Sequence, residues 1–121
     1  MTKLQKEAFA RKAQELVNKL KENIQPIPEP QEMNHCVDVI SKWKGQYFYI
    51  NQKYKVAPHP GQYKDFFEAG IVRLKPVGTD SFQIAYFRHT GKWETLDMIY
   101  DYLSYEQVEK AVLNDDWFQV F

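Results

Sequence analysis

The sequence predicts an α+β fold: an N-terminal helix, an antiparallel meander of four to five strands, and a C-terminal helix packed on one face of the sheet. Apolar residues recur at helical spacing over residues 2–24, side chains alternate with period two through much of 35–100, and a shorter helical pattern follows at 104–114. With 121 residues, of which 44% are hydrophobic and 16% aromatic, the chain is expected to form a single domain, 1–121, with its own core.

The first helix is predicted over residues 2–24, with Thr2 able to cap its start and Pro26 ending it. Its apolar stripe is made of residues that recur at helical steps: Leu4, Ala8, Ala13, Leu16, Val17, Leu20 and Ile24. Residues 25–34 follow as a connector, in which alternate prolines hold the chain extended and remove backbone donors. The helix must therefore return to the sheet or cross to a second subunit.

The strands are predicted from alternating runs separated by turn residues. A first hairpin pairs CVDVISKW with YFYINQKY through a Lys-Gly-Gln turn at 44–46, and Val37 and Val39 share one side of its first strand. Residues 57–70, APHPGQYKDFFEAG, are predicted to form a loop. A second hairpin pairs IVRLKPV with FQIAYFRH across GTDS, and HTG turns into a last strand, KWETLDMIY. The short connections make the sheet antiparallel.

The C-terminal helix is predicted over 104–114, because Ser104 and Gln107 have the spacing of a capping box and apolar residues follow at helical steps. The tail, 115–121, is apolar and should pack on the sheet or on a partner. Five residues are predicted to share the core: Phe48, Ile50, Ile84, Val108 and Val112.

The second half of the chain resembles a known group of domains. The segments YFRHTGKWETL, SYEQVEKAVL and DDWFQVF combine an aromatic strand with an arginine, a Gly-Lys-Trp turn, a helix and an aromatic finish. In this pattern, over about residues 66–121, the chain is similar to a group of short uncharacterised bacterial domains of unknown function. The resemblance implies no activity and no site residue, because the group has no assigned function.

The sequence shows no metal-ligand spacing, no nucleophile arrangement and no nucleotide-binding motif. The possible metal ligands do not have ligand-pair spacing, and they are His35, Cys36, His59 and His89. Cys36 adjoins a histidine only in sequence, so a buried strand thiol is its expected role. The glycines are scattered and form no phosphate-binding loop. We therefore predict no catalytic residue, no metal and no cofactor, and the sequence favours a non-catalytic protein.

The expected location follows from three absences. One cysteine cannot form an internal disulfide, and the first residues are charged throughout, unlike a signal peptide. No stretch approaches the roughly 18 apolar residues that a membrane helix needs. A cytoplasmic protein that makes no membrane contact is the expectation.

The candidate functional surface is the hairpin segment KWKGQYFYINQKYK, residues 42–55, which holds four lysines, five aromatic residues and no acid. Residues 42–75 carry seven basic and two acidic residues (+5), whereas 94–121 carry one basic and seven acidic residues (−6). Alternation places Tyr47 and Tyr49 on the side of their strand that faces away from the core. The predicted contact surface consists of Lys42, Trp43, Lys44, Tyr47, Tyr49, Lys53 and Lys55.

The sequence leaves three functions open. A protein-interaction or structural role, through a protein partner or self-association, is favoured by the aromatic surface, the apolar tail and the split charge. Single-stranded nucleic acid is the alternative, although a net charge of zero weakens the electrostatic part of such binding. Small-ligand binding in a cone-like sheet is the third, with a cavity lined by Tyr47, Tyr49, Tyr86, Trp93 and Tyr100.

Overall fold

The computed structural model describes residues 1–24, 34–57, 60–61, 65–88, 90–96 and 101–118 of the chain. Its helices are α1 (Lys3–Lys21), α2 (Tyr105–Asn114) and a 3-10 turn (Asp116–Phe118), and its strands are β1 (His35–Lys44), β2 (Tyr47–Lys55), β3 (Phe66–Gly78), β4 (Ser81–Phe87) and β5 (Trp93–Thr95). The strands form an antiparallel sheet in the order β1-β2-β3-β4-β5, which confirms the predicted α+β meander. No helix within the described ranges is long and apolar enough to cross a membrane. Most of the connector (25–33), the end of the predicted last strand (97–100) and the end of the tail (119–121) lie outside the described residues.

Helix α1 begins where the sequence predicted, because Thr2 caps it in a capping box with Gln5. Its buried stripe is Phe9, Ala13, Leu16, Val17 and Leu20. The predicted stripe was wrong at its start, since Leu4 is 77% exposed and Ala8 is also exposed. At about 100° per residue, Leu4 lies roughly 140° around the helix from Phe9, so it points away from the sheet that Phe9 contacts.

Phe9 fixes α1 to the sheet through contacts with other aromatic rings. Its ring centroid is 5.0 Å from that of Phe48, 5.3 Å from Phe82, 5.6 Å from Trp43 and 5.6 Å from Tyr105. Tilted and edge-to-face ring pairs at such distances stabilise a core beyond the area they bury. Because Tyr105 belongs to α2, the cluster holds both helices on the same face of the sheet.

Helix α2 is attached to the sheet at its N-terminus. Ser104 and Gln107 form the predicted capping box, and the N–H of Tyr105 donates a 2.9 Å hydrogen bond to Oδ1 of Asp80 in the β3–β4 turn. The Tyr105 hydroxyl donates to the backbone oxygen of Lys12 in α1 over 3.3 Å. Burial raises the pKa of Tyr105 above its ordinary value, so this hydroxyl is a neutral donor between the two helices.

The core lies between the helices and the face of the sheet that they cover, which we call the inner face. The five residues predicted to share the core are each at most 2% exposed: Phe48, Ile50, Ile84, Val108 and Val112. Cys36 is buried as a free thiol, as predicted. The tail contributes Phe118 to the same cluster, whereas Trp117 beside it is 46% exposed.

Strand β3 is longer than the sequence predicted. Residues 66–70, assigned to a loop, pair with β2, and the ring of Phe67 stacks on that of Tyr54 at 5.0 Å. The loop prediction was wrong there because both prolines and Gly61 lie in the first part of the segment. The aromatic pair that follows has a strong preference for strands.

A β-bulge changes the phase of β3. The register of β3 against β2 shifts at one point, and the consecutive residues Ile71 and Val72 are both buried in the core. Two neighbours on one face are typical of a bulge, which inserts an extra residue into one strand. As a result, Glu68 and Gly70 point to the side of the sheet opposite the helices, together with Arg73.

Strand β1 forms one edge of the sheet and begins irregularly. Its register against β2 shifts between Cys36 and Asp38, so Val37 leaves the ladder and is 40% exposed while Val39 is fully buried. The prediction that the two valines share a side was wrong for this reason. Oδ1 of Asp38 accepts a 2.8 Å hydrogen bond from the N–H of Val39 and lies 3.3 Å from Nζ of Lys21 in α1.

The position of α1 predicts different effects for its two leucines at positions 4 and 16. Leu16→Ala should lower the free energy of unfolding by about 2–5 kcal/mol, because it leaves a cavity in the core. Leu4→Ala should change it by less than about 0.5 kcal/mol, because Leu4 is exposed. Urea unfolding followed by circular dichroism measures both values. Similar losses in the two variants would contradict the burial of this helix face.

Candidate contact surface on the open face of the sheet

The face of the sheet opposite α1 and α2, which we call the open face, carries the side chains that alternate with the core residues. Among the described elements, the helices pack on the inner face and none packs here. Tyr47 and Tyr49 of β2, Arg73 of β3 and Trp93 of β5 lie on the open face and are partly exposed. The alternation predicted for β2 is confirmed, since the residues between and after the two tyrosines are buried.

The rings on the open face form a continuous band across the sheet. Ring centroids are 6.2 Å apart for Tyr47 and Tyr49, 5.5 Å for Tyr49 and Trp93, and 5.2 Å for Trp93 and Phe87 of β4. The guanidinium carbon of Arg73 lies 4.3 Å from the centroid of Tyr47 and 5.7 Å from that of Trp93. A guanidinium over aromatic faces is attracted by the ring quadrupoles. We call these four rings and the arginine the aromatic band.

Trp93 reaches Tyr49 because Gly70 has no side chain. The indole projects from β5 past β4 and lies over Gly70 of β3, where its ring contacts that of Tyr49 in β2. A Cβ on Gly70 would lie 2.5 and 2.6 Å from the ring carbons Cζ2 and Cη2 of Trp93, and 3.0 Å from Cβ of Phe87. Carbon atoms in contact normally lie about 3.5–4.0 Å apart. Gly70 is therefore required for the position of a ring and not for a turn.

A carboxylate lies beside the aromatic band. Nζ of Lys42 is 2.9 Å, and Nδ2 of Asn51 is 3.2 Å, from the same oxygen, Oε1 of Glu68. The hydrogen bonds from Lys42 and Asn51 hold the pKa of Glu68 below its ordinary value. Lys53 favours the ionised form as well, through its charge. Glu68 is therefore a carboxylate throughout the neutral pH range.

Positive charge dominates the open face. Its basic residues, placed by strand pairing, are Lys42, Lys44, Lys53, Lys55, Arg73 and Lys75. Lys44 and Lys55 are exposed, and Nζ of Lys53 lies 4.5 Å from the ring centroid of Phe66. The acidic residues at these described positions are Glu68 and, at the β1 edge, Asp38. The excess of lysine and arginine gives the face a positive potential.

Trp43 is the member of the predicted contact surface that the structure places elsewhere. It lies on the inner face, 5.2 Å from the ring of Phe48, and its Nε1–H donates a 2.9 Å hydrogen bond to the backbone oxygen of Lys6 in α1. Alternation is the reason, since Trp43 pairs with Phe48 across the hairpin whereas Lys42 and Lys44 point to the other side. The other six predicted residues share the open face.

The residues predicted to line a cavity are not brought together. Tyr86 lies on the inner side, where its ring is 4.7 Å from that of Trp117 and its hydroxyl donates a 3.0 Å hydrogen bond to Oε2 of Glu94. The tyrosines of β2 and Trp93 lie on the open face instead, so these side chains cannot surround one ligand. Tyr100 lies outside the described residues.

Two observations on the described residues bear on metal and thiol chemistry. Within them, no three His, Cys, Asp or Glu side chains are grouped so that they could hold a metal ion, and His59 and His89 lie outside them. Burial raises the pKa of the Cys36 thiol and so lowers its reactive thiolate fraction. An open cleft of about 700 Å³ beside the β3–β4 turn has one carboxylate in its lining, Asp80, whose Oδ1 already accepts from Tyr105.

The contact surface predicted from the sequence came from one hairpin only. It missed the residues that β3, β4 and β5 add to the same face: Glu68, Gly70, Arg73, Phe87 and Trp93. Alternation in IVRLKPV could have placed Arg73 away from the core, since apolar residues flank it. No sequence signal gives the side of Gly70, because the bulge decides it.

The fold and its surface define a class of protein: two helices on one face of a five-stranded antiparallel meander, with an aromatic and basic open face. The model of the Domain of unknown function (DUF3024) matches residues 5–119, and the chain belongs to this family. The resemblance predicted for residues 66–121 is thereby confirmed, and it extends through the first half of the chain. No curated protein and no solved structure matches the chain.

The contact between Gly70 and Trp93 can be tested by one added methyl group. Gly70→Ala should displace the indole and lower the free energy of unfolding by about 1–3 kcal/mol, because the new Cβ overlaps the ring. Gly78→Ala in the same strand is the matched control, since its Cβ would lie 3.7 Å from the nearest heavy atom, Cβ of Ser81. The indole N–H resonance of Trp93 in two-dimensional NMR spectra should shift in the first variant and not in the second. An unmoved resonance in Gly70→Ala would show that the ring does not lie over Gly70.

Proposed function

We propose that this domain is a non-catalytic protein-interaction module whose open face binds an acidic segment of a protein partner. The observation that carries the proposal is the aromatic band, in which Tyr49, Arg73 and Trp93 pack together and stay partly exposed. Tyrosine, tryptophan and arginine are the residues that most often dominate the binding energy of protein interfaces. The single cysteine supports a reducing, cytoplasmic setting for this interaction.

The charge around the band indicates the chemistry of the partner. Lys44 and Lys75 lie beside the band on β1 and β3, and Lys55 adds positive charge farther along β2. A charged rim around an aromatic centre is the usual anatomy of a protein interface, and a positive rim favours an acidic partner. Two copies of the chain that met through this face would bring like charges together, which argues against self-association through it.

Single-stranded nucleic acid is a weaker candidate for the same face. Base stacking needs free ring faces, whereas Arg73 lies over Tyr47, and the rings of Tyr49 and Trp93 pack edge to face. Lys42 is paired with Glu68 and so contributes less to the neutralisation of phosphates. An acidic peptide needs only the packed aromatic centre and the positive rim, and both are present.

Selection of phage-displayed peptides on the immobilised protein at physiological salt tests the proposal. We expect enrichment of peptides that combine Asp and Glu with apolar residues. Trp93→Ala should weaken the binding of a selected peptide by about tenfold or more in fluorescence polarisation, because it removes the ring at the centre of the band. Trp117→Ala is the matched control, since this exposed tryptophan packs beside Tyr86 on the other side. It should change the affinity by less than about twofold.

The lysine rim and the competing ligands are tested in the same assay. Lys44→Gln combined with Lys55→Gln should weaken binding and reduce its dependence on salt. No enrichment of acidic peptides, or equal losses in the two tryptophan variants, would refute the proposal. Oligothymidylate binding tighter than about 1 μM at physiological salt would assign the face to nucleic acid instead. A dimer that the lysine changes dissociate would assign it to self-association.

A further inference from the structure

Glu68 occupies a position at which two donors converge on one oxygen atom. Nζ of Lys42 and Nδ2 of Asn51 lie 2.9 and 3.2 Å from its Oε1. The donors come from β1 and β2 and the carboxylate from β3, so three neighbouring strands form the arrangement. An ammonium and an amide directed at one carboxylate oxygen make a position suited to an anion. In the free protein, a side chain of the chain itself fills that position.

Asn51 is the fixed part of this arrangement. The residue is 9% exposed, and its Oδ1 is buried without a hydrogen-bond partner in the part of the chain that the structure describes. Buried amide oxygens are nearly always paired, so this exception calls for a cause. The reverse orientation of the amide would not give Oδ1 a donor either, because Oδ1 would then face the carboxylate oxygen of Glu68, which is itself an acceptor. The orientation of Asn51 is therefore the one that suits a carboxylate.

Glu68 itself is held by contacts that exchange easily. The side chains of Lys42 and Glu68 are 48% and 39% exposed. Ion pairs at such exposure stabilise a fold little, because water and salt screen them. A carboxylate from another molecule can accept the same two hydrogen bonds, while the released Glu68 regains its hydration. Replacement of one carboxylate by another is therefore nearly balanced at this position.

We propose that Lys42 and Asn51 form a carboxylate subsite of the partner-binding face, which Glu68 fills in the free protein and an acidic side chain of the partner fills in the complex. The inference rests on the proposed function and names the residue that regulates it. Glu68 is then an internal competitor that lowers the affinity of the open face for acidic partners. The subsite adjoins the aromatic band, since Lys42 pairs with Tyr49 across the β1–β2 hairpin.

Binding of labelled poly-L-glutamate, and of an acidic peptide obtained by selection, tests the inference at physiological ionic strength. Glu68→Gln should tighten the binding of both probes by about threefold or more, because it removes the competing charge and keeps the side-chain shape. Glu106→Gln is the matched control, since it removes the same charge from another exposed pair, Glu106 with Lys110 in α2. Its effect should stay within about 1.5-fold because salt screens distant charges. Lys42→Gln added to Glu68→Gln should abolish the gain.

The side-chain amide of Asn51 provides a second measurement. In NMR spectra of free Glu68→Gln, its resonances should differ from those of the wild type, because the acceptor has lost its charge. Addition of poly-L-glutamate should return them toward the wild-type positions as a carboxylate re-enters the subsite. Resonances of Asn51 that do not respond to the probe would overturn the inference, even if the affinity rises.

The outcomes separate this inference from the function on which it rests. If Glu68→Gln and Glu106→Gln change the affinity equally while Trp93→Ala still weakens binding, the subsite is refuted and the proposed function stands. If neither the wild type nor Glu68→Gln binds any acidic probe, both are refuted. A gain confined to Glu68→Gln, lost again with Lys42→Gln, supports the subsite.

Discussion

The packing of Phe9 among the aromatic rings of the sheet and of α2 is the interaction on which the architecture depends. It fixes α1 on one face, and Tyr105 of α2 belongs to the same cluster, so both helices cover the same side. The other face must then be covered by its own side chains. A single layer of rings can bury only the surfaces that its members share, and the outer surfaces remain in water. The open face therefore keeps partly exposed aromatic surface that a complex can bury.

The bulge in β3 determines what the open face contains. Because Ile71 and Val72 both enter the core, the residues that precede them change sides, and Glu68 and Gly70 come to the open face. Gly70 gives the indole of Trp93 its room, and Glu68 supplies a negative charge among lysines. One inserted residue thus links the packing of the core to the chemistry of the opposite surface.

Local spacing explains which features the sequence could predict. Both capping boxes follow from a three-residue spacing, and alternation in YFYINQKY placed Tyr47 and Tyr49 away from the core. The error at the start of the α1 stripe also follows from spacing. Ala8 and Ala13 are five residues apart, so at about 100° per residue they lie roughly 140° apart around the helix and on different sides of it.

Features that depend on register across strands could not be predicted. Trp93 and Gly70 lie on different strands, and no periodicity relates a tryptophan to the glycine that it covers. The same holds for the bulge, because an apolar pair such as Ile71 and Val72 is compatible with either phase of β3. The candidate site was therefore only half visible in the sequence: both of its tyrosines and most of its lysines belong to one hairpin, whereas Arg73, Gly70, Phe87 and Trp93 come from three further strands.

The edge strands of the sheet, unlike its open face, are poorly suited to contact with another chain. β5 is three residues long, and β1 begins with a bulge at Val37 and carries Lys42 and Lys44. The backbone N–H of Val39 donates a hydrogen bond to the carboxylate of Asp38, so it is not available to a strand of another chain. Pairing with strands of other chains is the first step of amyloid-like aggregation. Short, irregular and charged edge strands resist this pairing. Along the described part of the β1 edge, the domain therefore gives further copies little backbone on which to extend the sheet, while its aromatic face stays available.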